Sequence, residues 1–310
     1  MTGSGEILSG GFGLLAKRPA AIAIWAAIYA ALGLASVLLV LPAMMHAMQN
    51  QVSAMNNPQA GVAMMQSMGA VQGLSWLLSL AGSFLGAILL CGAFRIALRP
   101  EEPGFAGLRV GMDEVRVFAM IMVITFGGAI IGMIVMLLAM LLSLLFWFAA
   151  SNMPVLAGLL IAAVWIATIC AFIYALVRIS LIFPLTFIRR EFAIDEAWKL
   201  SRGRFWTLFV PYLVIGLIIM LASCLVALPM LWSMMGELQH FPVGGDPQAV
   251  QAFTTELMAH WFGQPFGVMG AVVLIGSVVR AMATAVNGGA MATAARGFLA
   301  DDGNLPEIFE

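Results

Sequence analysis

Only one ionisable side chain, Arg280, stands well inside an apolar run of this chain. Along a helix it lies about 21 Å past Phe266 at 1.5 Å per residue, leaving roughly 9 Å of a ~30 Å hydrocarbon core. A flexible arginine can bridge that gap by snorkelling, so Arg280 is read two ways, as an anchor and as an intramembrane functional cation. Carriers coupled to protons or cations keep Asp, Glu or His within the membrane, and the apolar runs here hold none. Glu237, Asp246 and Glu256 fall in the last connector, and the other acidic residues fall in basic segments or near the termini. His46, His240 and His260 lie in connectors, each without a second His at ligand spacing. Glu256 and His260 are four apart and read as a solvated helix face. There is no H-E-x-x-H, no G-x-S-x-G and no P-loop, so the expectation is a non-catalytic protein that needs no cofactor.

Two further groups of side chains could carry chemistry. The first connector holds Met44, Met45, His46 and Met48, and thioether with imidazole suits Cu(I). With Arg280, this is the basis of an alternative reading as a small-solute or copper transporter. Methionine is abundant throughout, however, at 23 residues, and it also fills irregular apolar contacts. The second group is basic: Arg109, Arg116, Arg189, Arg190, Arg202 and Arg204, with Trp198 among them. These can hold anionic phospholipid headgroups or an acidic partner segment, or simply act as topology determinants and anchors. Arg95 and Arg178 sit near the ends of apolar runs and are expected to snorkel.

The elements that must position these groups are membrane spans. The chain is 63% hydrophobic and 9% charged with mean hydropathy +1.03, against about 25% charged in a soluble domain. A net charge of −1 offers no basic face for nucleic acid. Runs of about 20 apolar residues cross a bilayer. Six are found, at about 19–41, 71–94, 117–150, 154–176, 205–232 and 266–286. The third is too long for a simple crossing and must tilt, project, or break at Gly127-Gly128. Gly128 and Gly132 form a G-x-x-x-G that allows close helix approach. Cys91, Cys170 and Cys224 lie inside runs and are expected to act as small hydrophobes. The fourteen Lys and Arg residues all lie in or at the end of alternate segments, and connectors 42–70, 151–153 and 234–265 contain none. This bias places the chain in a bacterial inner membrane with both termini cytoplasmic.

Three segments ahead of spans one, three and five show helical periodicity with mixed charge. They are Gly5–Lys17, Phe105–Arg116 and Ile194–Arg204. In the second, Phe105, Leu108, Met112 and Val115 form the expected apolar face and Arg109 with Asp113 an i,i+4 pair. The expectation is an all-α, single-domain integral membrane protein over 1–310. Its six transmembrane helices form three hairpins, each preceded by a short cytoplasmic interfacial helix.

The segment Pro184-Leu-Thr-Phe-Ile-Arg-Arg-Glu191, then Asp195-Glu-Ala-Trp-Lys-Leu-Ser201-Arg-Gly203-Arg-Phe-Trp206, resembles the loop of a broad family of bacterial polytopic proteins. That family is related to the membrane domain of glycerophosphoryl diester phosphodiesterase. Gly5-Glu-Ile-Leu-Ser-Gly-Gly-Phe12 and Lys17-Arg18-Pro19 also fit its start. Arg99-Pro100-Glu-Glu-Pro-Gly-Phe105 and Arg109-Val-Gly-Met-Asp-Glu-Val-Arg116 resemble an alphaproteobacterial subset. The resemblance implies about six helices and no catalytic residue in this part of such proteins. The functional expectation is therefore a lipid-contacting scaffold or accessory module for envelope or phospholipid processes. Its partners would be anionic lipids at the cytoplasmic face and a protein partner or a second copy of itself.

Overall fold

The computed structural model describes residues 2–56, 58–99, 105–238, 249–250, 252–253, 256–257 and 268–303. The elements are α1 (Ser4–Lys17), α2 (Pro19–Asn56), α3 (Pro58–Leu98), a 3-10 turn (Phe105–Gly107), α4 (Met112–Ala149), α5 (Pro154–Ile179), α6 (Ile182–Arg189), α7 (Ile194–Leu200), α8 (Phe205–Leu238) and α9 (Val268–Asp301). Among the described residues six helical stretches are long and apolar enough to cross a membrane. The exposed side chains support the same conclusion. In α4, Ile131, Leu138 and Leu145 are each 60% exposed or more, an apolar surface that only lipid or another helix can cover. The protein is an all-α, multi-pass membrane protein.

Several boundaries differ from expectation. Residues 42–56 do not leave the helix; α2 continues through Pro42 to Asn56, and α3 starts at Pro58. Ala, Met and Gln in this stretch are strong helix formers, and proline is at home in the first turn of a helix. The long third run does not break at Gly127-Gly128; α4 is one helix of 38 residues, about 57 Å at 1.5 Å per residue. Nor does the G-x-x-x-G bring two backbones together. A Cβ on Gly128 would meet nothing, and one on Gly132 would make ordinary contact with the Phe172 ring at 3.5 Å.

The chain divides into two compact units. The first comprises Met1–Gly13, Leu90–Leu213 and Asn287–Glu310, and the second comprises Leu14–Leu89 and Val214–Val286. The first is built around Ile7, Phe94, Leu185, Phe187 and Phe298, all almost fully buried. Its tight crossing lies between α1 and the end of α9. A Cβ on Gly289 would stand 2.7 Å from the Gly10 carbonyl oxygen, and one on Gly288 would be 2.5 Å from the Cβ of Ala93. Gly289, Thr293 and Gly297 are four apart, so α9 presents one smooth strip of small residues to the N-terminal helix. The second unit buries Trp25, Ala281 and Ala285 completely and Tyr29 to 5%. Tyr29 Oη and Thr284 Oγ1 are hydrogen-bonded at 3.0 Å.

Two of the three expected interfacial helices form, as α1 and α7. Phe105–Arg116 does not form one. It makes a single 3-10 turn with Ala106 at φ 55° and Gly107 at φ 71°, and its residues from Met112 already belong to α4. Gly107 is required twice over, by that dihedral and because a Cβ there would lie 2.8 Å from the Gly92 carbonyl oxygen. The expected apolar face does lie outward, with Phe105, Met112 and Val115 exposed, while Glu114 and Val117 are buried. Lipid is apolar, so the outward face of such a segment can be greasy and its inward face polar.

Candidate functional site

In the first unit, five arginines and two carboxylates line a cavity of about 340 Å³: Arg95, Arg99, Arg109, Arg116, Arg190, Asp113 and Glu114. The end of α3, the start of α4 and the C-terminus of α6 supply them. Arg95 (4% exposed) donates to the Glu114 carboxylate (1% exposed) and to the Gly107 carbonyl oxygen, and its guanidinium sits 5.8 Å from the centroid of the Phe187 ring. Arg99 stacks over Phe187 at 5.1 Å. Asp113 accepts from Arg116 at 3.0 Å, in place of the expected Arg109 pairing. Arg109 and Arg190 are exposed, and neither has a carboxylate bound to it among the described residues. Arg109 and Arg190 thus face the cavity with no carboxylate bound among the described residues, a pair suited to an oxyanion.

Arg190 has a further property. It caps α6 in the left-handed region at φ 59°, its N–H bonded to the Thr186 carbonyl oxygen at 3.0 Å. Glycine or asparagine is the usual occupant of that cap, and a larger side chain there costs roughly 1–2 kcal/mol. The chain places an arginine at the strained position, and that arginine lines the cavity.

The remaining basic residues are drawn into other contacts. Arg189 grips Glu196, with Nη2 to Oε1 at 2.7 Å and Nε to both oxygens at 3.2 Å. Arg204 binds Asp302, with Nη2 to Oδ1 at 2.6 Å, and lies 4.8 Å over the Phe298 ring. Arg202 is exposed, apart from the cavity lining. Arg178, expected to snorkel, is 6% exposed and turned inward. It donates to Ser201 Oγ (3.1 Å), Tyr174 Oη (2.9 Å) and the Trp198 carbonyl oxygen (2.6 Å), and stacks on the Trp198 ring at 3.7 Å. Trp198 is therefore the lid on a buried cation, and this clamp holds the loop from 190 to 204 in place. Arg95 corrects the snorkelling expectation in the same way. Both guanidiniums are buried, so internal acceptors take the place of water.

The second unit holds the other candidate. Arg280 is exposed; its guanidinium lies 4.7 Å over the Tyr29 ring, and it lines an open-sided cavity of about 650 Å³ between α2, α3 and α9. Ser36, Ser75, Ser79, Ser83 and Ser277 line it too, with Gly33, Gly82 and Gly276 leaving room. Of the suggested copper ligands, Met44, Met45 and His46 are exposed at successive positions of α2. Successive helix positions diverge by about 100°, so these three do not converge. The side chain of Met48 lies outside the described residues, as do His240 and His260. Among the described residues, no three or more His, Cys, Asp or Glu come together as a metal site.

The Arg95–Glu114 pair, the Arg178 clamp and the serine-lined cavity were missed in the sequence. One signal for the first was available: Glu114 is three residues from Val117 and six from Met120, and all three are buried. No family model, curated protein or solved structure matches this chain.

Proposed function

We propose that this is a non-catalytic protein of a bacterial inner membrane that holds anionic phospholipid headgroups at its basic, cytoplasmic side. It would serve envelope or phospholipid processes as a lipid-contacting scaffold or accessory module. The observation that carries this reading is the cavity with Arg109 and Arg190 uncommitted beside two satisfied ion pairs. A phosphate monoanion is matched by two guanidinium forks. The strained backbone at Arg190 supports it, because strain of that kind persists where function retains the side chain. The cytoplasmic placement of this side, and of both termini, rests on the Lys and Arg bias. The resemblance to the membrane domain of glycerophosphoryl diester phosphodiesterase belongs to the same proposal.

The test uses the full chain in nanodiscs of phosphatidylcholine with a minor share of phosphatidylglycerol, and native mass spectrometry counts retained lipids. Arg109→Gln with Arg190→Gln should lower the number of retained phosphatidylglycerol molecules and leave folding intact. Unchanged retention defeats the reading. A second reading, small-solute transport, is favoured by the cavity that reaches Arg280; uptake of labelled solute into proteoliposomes would distinguish it.

A further inference from the structure

We infer that the cavity of the second unit binds an oxyanion whose attached group carries hydroxyl or ammonium donors. This goes beyond the headgroup reading of the basic cavity and concerns the other unit, so the two stand or fall separately.

The charge argument comes first. Arg280 lies in a helical stretch apolar enough to cross a membrane, and no carboxylate lines the cavity around it. Its contact among the described residues is the face of Tyr29 at 4.7 Å. Arg280 is exposed into this open-sided cavity, and a ring face leaves its guanidinium N–H donors available. A bound anion would complete the site.

The hydroxyls then narrow the ligand. Ser36, Ser75 and Ser83 each donate to the carbonyl oxygen four residues back at 2.8 Å, and Ser277 does so at 2.6 Å. Their protons are committed to their own helices, so toward the cavity they offer lone pairs. A bare anion would meet two donors, Arg280 and the Ser79 hydroxyl, and otherwise a wall of acceptors. A ligand with an acidic oxygen group and its own O–H or N–H donors satisfies both. The cavity, about 650 Å³, fits a small molecule or a lipid headgroup. Two sources share this chemistry: a hydroxylated anionic headgroup entering from the bilayer, and a free hydroxy acid from water.

Both are tested in phosphatidylcholine nanodiscs on the full chain carrying Arg109→Gln with Arg190→Gln, so that the basic cavity does not contribute. In the lipid arm, phosphatidylglycerol competes with phosphatidylmethanol, which has the same charge without headgroup hydroxyls. In the solute arm, glycolate is compared with acetate by isothermal titration. One arm should show about tenfold preference for the hydroxylated member, as one or two added hydrogen bonds give. Arg280→Gln should abolish binding in that arm, whereas Arg280→Lys should retain it. Ser36→Ala with Ser83→Ala should keep binding but reduce the preference to about threefold or less, since acceptors are lost while the cation stays. Equal binding within each pair of ligands overturns the inference. So does binding that survives Arg280→Gln, or the absence of binding in both arms. If Arg280→Gln does not fold, the serine pair decides the matter by the same preference.

Discussion

Replacing Glu114 with leucine should destabilise the protein severely, and replacing Arg95 with methionine in the same chain should largely restore it. Both groups are buried, at 1% and 4% exposure, and they are bonded to each other. Removing the carboxylate takes from the buried Arg95 guanidinium its charged partner. Breaking a buried pair in this way costs about 3–5 kcal/mol. Removing both charges trades a desolvation gain of roughly 1–4 kcal/mol against loss of the charged bond to Gly107, about 1.5–3 kcal/mol. The double variant should therefore lie within about 2 kcal/mol of wild type, with a coupling energy of at least about 2 kcal/mol. The assay is equilibrium unfolding by SDS in mixed micelles, followed by tryptophan fluorescence and far-UV circular dichroism. Single variants that add within about 0.5 kcal/mol in the double would refute the reasoning, and so would a single loss below about 1 kcal/mol.

Arg190→Gly should relieve the left-handed strain and stabilise the protein by about 1 kcal/mol, while weakening retention of phosphatidylglycerol in nanodiscs. A stability gain with unaltered lipid retention would show that the strain is not kept for binding. Gly289→Ala forces a Cβ against the Gly10 carbonyl oxygen and should cost about 1–3 kcal/mol. Faster hydrogen exchange within residues 4–13 would locate the damage in α1, and unaltered exchange there would contradict the close crossing. Thr186 is 1% exposed with an Oγ1 that finds no partner among the described residues. Thr186→Val should therefore be neutral or stabilising by up to about 2 kcal/mol, read as a higher midpoint in the same SDS titration. A clear loss would mean that the hydroxyl has a partner, such as a bound lipid or water.

The all-α character and the six membrane-length helices were legible in the sequence because hydropathy is a local sum. A run such as 205–232 is apolar whichever helix it packs against, and no water-soluble fold could cover so much of it. The basic set was legible as a set, because Arg109, Arg116 and Arg190 are recognisable from residue type and position alone. Which of them share a site was not. Arg189 and Arg204 are equally basic, yet Glu196 and Asp302 claim them across gaps of 7 and 98 residues. The apolar face of Phe105, Met112 and Val115 was legible, and these residues are exposed, as a face laid on lipid must be. The buried acid opposite it was not legible, because residue type alone puts Glu114 in water. Glu114 is the inward residue, since only the interior supplied Arg95 as a partner. The same holds for Arg178, which the sequence places at the end of a span and the fold turns toward Ser201 and Trp198. Hydropathy determined that these segments enter a membrane. Choosing the partner of each buried charge needed tertiary structure, because ion pairs and hydrogen bonds act over a few ångströms between residues far apart in the chain.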